Sequence, residues 1–130
     1  MKYYLLLVLG FFLTYPQYPV SEISDKVIIA IKEGNASKIA KHFHKKISLK
    51  IFDSEDVYSN IQAETVLKDF FVKHPPLNYS KSHSNSQKNG NEFFTGILTT
   101  TNGKLSLSFQ IKKIEDKYLI CQFRIENEKN

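Results

Sequence analysis

Apolar and polar positions divide the chain into three stretches of different period. Tyr3 to Tyr15 is a continuous run without charge, entered through Lys2 and closed by Pro16 and Pro19. Between Ile23 and Phe71 the period is mostly helical. Ile23, Val27, Ala30 and Ile31 share a helix face, and Ser21 or Ser24 can cap that helix. Gly34 stands where a C-cap glycine belongs, and Asn35 can cap a second helix whose stripe is Ala36, Ile39, Ala40 and Phe43. Ile47, Leu49 and Ile51 alternate with Ser48 and Lys50, the period of a strand. Asp53 to Tyr58 reads as a polar connection. Ser59 and Gln62 then form a capping box ahead of the stripe Ala63, Val66, Leu67, Phe70 and Phe71. Pro75 and Pro76 stop this long helix.

Beyond Leu77 the period is two. One strand takes Leu77, Tyr79, Lys81 and His83, and a polar segment ends in the turn Asn89-Gly90-Asn91. A second strand covers Phe93 to Thr101. Asn102-Gly103, a pair tolerant of positive φ, predicts a hairpin into Leu105, Leu107, Phe109 and Ile111. The last strand runs from Tyr118 to Glu126. Helices grouped ahead of a meander predict an α+β fold, in the order α-α-β-α-β-β-β-β, with an antiparallel sheet covered on one side.

The chain of 130 residues fits one domain, with 42% apolar residues available for a core. The opening run has the length of a secretory h-region and is short for a membrane span. Residues 1–20 are therefore read as a signal peptide and 21–130 as the mature domain, exported to a periplasm or secreted. The membrane is met only through the leader. Cleavage is expected between Thr14 and Ser21. Loss of Lys2 leaves 17 basic against 13 acidic residues, so the mature domain remains basic.

That balance raises the question of nucleic acid, but Arg124 is the only Arg. Bidentate recognition of phosphates and base edges favours Arg, so specific nucleic-acid binding is not expected. Lys38, Lys41, Lys45, Lys46 and Lys50 read as a solvated face. Cys121 is the only cysteine, which excludes thiolate zinc sites and an internal disulfide. It is expected mid-strand, beside Leu119 and Phe123, as an inert buried thiol. No metal or cofactor is assigned: His42 and His44 lack a third ligand, and Asp53, Glu55 and Asp56 lack calcium-loop spacing. His74 is placed to meet the carbonyls at the end of the long helix.

Gly34-Asn35-Ala36, Phe43, Tyr58-Ser59, Gln62-Ala63, Phe70-Phe71, Pro76, His83, Gly96 and Gly103 together resemble a known pattern. It is that of the nuclear-transport-factor-2-like, cystatin-like cone superfamily. Within it, the chain resembles a domain-of-unknown-function family of small exported bacterial proteins, over roughly Ile23 to Glu126. The resemblance implies a strongly curved sheet wrapped on helices, with a pocket at the open end of the cone. In that setting Tyr58, Tyr79, His83, Phe94 and Tyr118 are the candidates to line a pocket for a small apolar ligand. Because the matching residues are caps, turns and core aromatics, a non-enzymatic binding or dimerisation domain is the preferred reading. The alternative is an isomerase or lyase using His83 and a pocket carboxylate, which requires His83 buried beside that acid. Tyr118 and Ile120 alternate with Leu119, Cys121 and Phe123, which makes both faces of the last strand apolar. That pattern points to a homodimer through the sheet.

Overall fold

A computed structural model describes residues 20–87 and 89–129 of the chain. The leader assigned to residues 1–20 lies, but for Val20, outside the described residues. Helix α1 spans Val20–Glu33 and α2 spans Ala36–Ala40. Strands β1 (Phe43–Ile51) and β2 (Ser54–Ser59) follow, then α3 (Asn60–Lys73). The chain ends in β3 (Pro76–Ser86), β4 (Glu92–Thr100), β5 (Gly103–Ile114) and β6 (Lys117–Asn127). Among the described residues no helix is long and apolar enough to cross a membrane.

The helix punctuation follows local chemistry. Gly34 adopts φ +66° and closes α1. Its missing Cβ matters twice, because a methyl there would stand 2.9 Å from Cγ of Pro76. Asn35 Oδ1 accepts the Lys38 amide at 3.0 Å and starts α2. The Ser59 hydroxyl accepts the Gln62 amide at 3.1 Å, while Gln62 Oε1 accepts the Ser59 amide at 3.2 Å, so both halves of the capping box form. Two expected caps are corrected. Val20 is already helical, so Ser21 and Ser24 stand inside α1, and Ser24 is buried. His74 is the C-cap of α3 through its backbone amide, which donates to the Phe70 carbonyl at 2.8 Å, but the carbonyl of Lys73 is met by Asn102 Nδ2 at 2.8 Å and not by the imidazole. The His74 ring instead stacks on Phe70, with centroids 4.8 Å apart.

The six strands form one sheet in the order β2-β1-β6-β5-β4-β3. Two features differ from the expected antiparallel sheet of five strands. First, Ser54–Ser59 is a strand: it pairs antiparallel with β1 through Ile51↔Ser54 to Lys46↔Ser59. Ser54 to Val57 are exposed and only Tyr58 and Ser59 half-buried, because β2 sits at the sheet edge beyond the helices. With no buried side it carries no alternation to read. Second, β1 and β6 run parallel, so the sheet is mixed. A parallel pair needs a long crossover. Here everything from β2 to β5 intervenes, and β6 returns beside β1 as the last strand of the meander.

The core lies between the helices and one face of this sheet. Val27, Ala30 and Ile31 of α1, Ile39 of α2, and Ala63, Leu67 and Phe70 of α3 face Ile47, Leu49, Leu107, Phe109, Ile120, Phe123 and Ile125. Phe43 is in the core as expected, but it opens β1, because α2 ends at Ala40. The Asn102-Gly103 hairpin forms with Gly103 alone at positive φ (120°). Asn102 keeps its ordinary backbone conformation and spends its side chain on α3.

Candidate functional site

The five candidate pocket residues do not converge. Tyr79 of β3 is buried, and its hydroxyl donates to the Leu107 carbonyl at 3.0 Å. Burial pushes its phenol well above the ordinary value. Phe94 is 2% exposed and stacks on Phe109 at 4.9 Å. Phe109 stacks in turn on Phe123 at 6.2 Å, and Phe123 meets Phe43 edge-on at 6.0 Å. A row of phenylalanines thus fills the helix side of β4, β5, β6 and β1. Tyr58 lies half-buried on β2, opposite Ile47, at the far end of the strand order from Tyr79. Tyr118 is half-buried near the start of β6, under the Lys113 ammonium. His83 is not a pocket group: it is exposed, and the register shift between Lys81 and His83 sets it opposite Thr95 on the outer face.

That outer face has its own order. Directly paired residues share a side of the sheet. One cross-strand row runs Asn85, Phe93, Gln110, Gln122, Ser48 and Val57. The next runs His83, Thr95, Ser108, Arg124, Lys50 and Glu55, and a shorter one Ser80, Ile97, Ser106 and Glu126. The middle of the face is therefore hydroxyl and amide, with Phe93 and Ile97 half-buried among them. Its ion pairs are gathered at the β2 side. Arg124 donates to Glu55 at 3.1 Å and to Glu126 at 3.2 Å, and Lys50 Nζ donates to Glu126 at 2.6 Å. These bonds, Lys50 first, hold the Glu126 carboxyl below its ordinary range despite partial burial. The single guanidinium is thus engaged within the fold, and Lys50 leaves the solvated lysine series.

A β-bulge revises the last strand. Gln110 pairs with Gln122 but Ile111 pairs with Ile120, so Cys121 is the extra residue. The bulge moves Ile120 onto the same core face as Phe123 and Ile125, all three buried. The register change puts Ile120 and Phe123 on one core face, while Leu119, opposite Lys112, stays half-buried on the other side. Cys121 is half-buried, its Sγ 3.8 Å from the Leu119 carbonyl, and burial raises its thiol.

A second feature lies on the helical side. A hollow of about 380 Å³ opens between α1 and the α2–β1 turn. Lys26, Ile29 and Ala30 line it from α1, and Lys38, Lys41 and His42 from the other wall. Burial, then the charges of Lys26 and Lys41, lower the His42 imidazole below its ordinary 6.5. Sequence reading missed Ile29 because it sits off the stripe of Val27, Ala30 and Ile31. It is 55% exposed, an isoleucine facing water on the rim of a cationic hollow.

Comparison with known proteins fits this architecture. A family protein from Bacteroides uniformis has a solved structure that superposes with a TM-score of 0.78 at 29% identity, covering 83% of this chain and 99% of its own. An NTF2-like protein of unknown function from Cytophaga hutchinsonii shares the fold at a TM-score of 0.62 and 8% identity, over 86% of this chain and 92% of that one. A candidate calcium/calmodulin dependent protein kinase II association domain from Xanthomonas campestris does so at 0.58 and 20%, over 84% and 85%. No curated protein matches the chain. The fold is therefore the nuclear-transport-factor-2-like, cystatin-like α+β fold. The first of these structures is described as a DUF4783 protein, and the model of that family, a domain of unknown function, matches residues 24–126. The chain belongs to the DUF4783 family.

Proposed function

We propose that this is an exported, non-enzymatic interaction domain that self-associates through the outer face of its sheet. One observation carries the reading. The helix side of the sheet is consumed by the chain's own phenylalanines, whereas the outer side presents a six-strand face that the helices leave uncovered. A twofold contact sets a surface against itself. At its β2 side Lys50, Arg124, Glu55 and Glu126 are already paired internally, so that part of the face can meet its copy without an unmatched ion. The centre offers Phe93 and Ile97 for burial, within hydroxyls and amides that can hydrogen-bond across. The fold neighbour from Xanthomonas campestris, described as a candidate association domain, supports an assembly role for this architecture. The isomerase or lyase alternative has lost the residue it was built on, since His83 is exposed on the outer face.

Sedimentation velocity over a concentration series tests the proposal. The chain should sediment as a dimer, and Ile97→Lys should return it to a monomer with an unchanged far-ultraviolet dichroism spectrum. A monomer at every concentration sinks the reading. So does a dimer that tolerates both Ile97→Lys and Phe93→Lys, because its contact then lies elsewhere.

A further inference from the structure

We propose that the hollow between α1 and the α2–β1 turn binds a small amphiphilic anion, a carboxylate carried on a short apolar body. Three lysines and one histidine line the hollow, together with Ile29 and Ala30. Two of the cations have carboxylate partners on α1: Glu22 is 4.0 Å from Lys26, and Glu33 is 3.3 Å from Lys38. Lys41 has no carboxylate partner among the described residues. The hollow therefore keeps an excess of positive charge, and His42 feels it from α1 through Lys26 and from its own segment through Lys41. Ammonium groups are compact point charges without the planar fork of arginine, which suits a single anionic head. Beside them Ile29 offers a large apolar side chain 55% exposed. Covering it removes apolar surface from water, which a bare inorganic anion cannot do.

This site lies apart from the outer sheet face and does not rest on the self-association reading. Its test is a two-dimensional amide titration of the purified chain with sodium octanoate, with octanol and inorganic phosphate as parallel arms. Octanoate should give saturable shifts at Ile29, Ala30 and His42. It should also raise the His42 pKa, because the bound carboxylate offsets Lys26 and Lys41. Lys41→Gln, an exposed change that spares the core, should weaken binding roughly twofold to fivefold. Absence of saturable shifts overturns the proposal. Octanol shifts that match octanoate's overturn it as well, since the lysines then do nothing. Phosphate shifts of equal strength remove the apolar half of the claim and overturn it in that form. An unmoved His42 pKa places the anion elsewhere.

Discussion

Gly96 lies beneath the ring of Tyr79. A Cβ built there would stand 2.5 Å from Cζ of Tyr79 and 2.6 Å from the Ser80 carbonyl oxygen. The glycine is thus required by close approach, with no positive φ involved. The ring crosses from β3 over β4 to hydrogen-bond β5, tying three strands with one side chain. Gly96→Ala must displace either the ring or β3, and should lower stability by about 1–3 kcal/mol. Tyr79→Phe keeps the ring and removes only the hydroxyl, so its cost should be about 1 kcal/mol. Urea midpoints of the two variants check the order. A Gly96→Ala protein as stable as the parent would mean that the ring has somewhere else to go. Phe52 illustrates the opposite case. It holds φ 55° in the β1–β2 turn although it carries a side chain. Its ring packs near Phe70 and His74, at 6.2 and 5.6 Å, and its amide donates to the Ile125 carbonyl at 2.8 Å. Tertiary contacts outweigh the local preference there.

Between elements, β2, β1 and β6 are joined by an ion network as well as by backbone pairing. Glu55, Lys50, Arg124 and Glu126 each come from one of these three strands, and their side chains are 24–47% exposed. Exposed pairs contribute little singly; a network on a partly covered face contributes more. The folded Glu126 carboxyl titrates below its ordinary value of 4.5. The unfolded chain therefore takes up this proton first as pH falls. The contribution of Glu126 is complete above about 4.5 and is lost as pH drops through the folded value. Glu126→Gln should flatten the loss of stability as pH falls below about 4.5. Chemical denaturation at several pH values measures it, and an unaltered acid limb would show that the network is not what titrates. This network was illegible in sequence. Lys50 looked like one of a series of solvated lysines, and its partner lies 76 positions away.

At the scale of the whole molecule, the domain is basic, with paired charges on its sheet face and an unneutralised cationic hollow on its helical side. The export reading belongs here, because it concerns how the chain is delivered. Fractionation of cells expressing the full chain should place it outside the cytoplasm, with an intact mass starting between residues 14 and 21. A cytoplasmic product retaining Met1 would end that reading. The chain's own pattern determined the caps at Gly34, Asn35 and Ser59, the breaker at Pro75-Pro76, the Asn102-Gly103 hairpin and the core face of β5. These depend on neighbours a few residues apart, and a local period or dipeptide suffices to encode them. Tertiary structure alone decided four other matters. An edge strand with no buried side has no alternation, so β2 was invisible. A bulge at Cys121 shifts the period by one, so Ile120 and Phe123 looked like opposite faces. The parallel β1–β6 pair depends on where the meander returns, which no local period records. The candidate aromatics separated for the same reason: residue type announces that Tyr79, Phe94, Tyr58 and Tyr118 want burial, while only the strand order decides whether they are buried together.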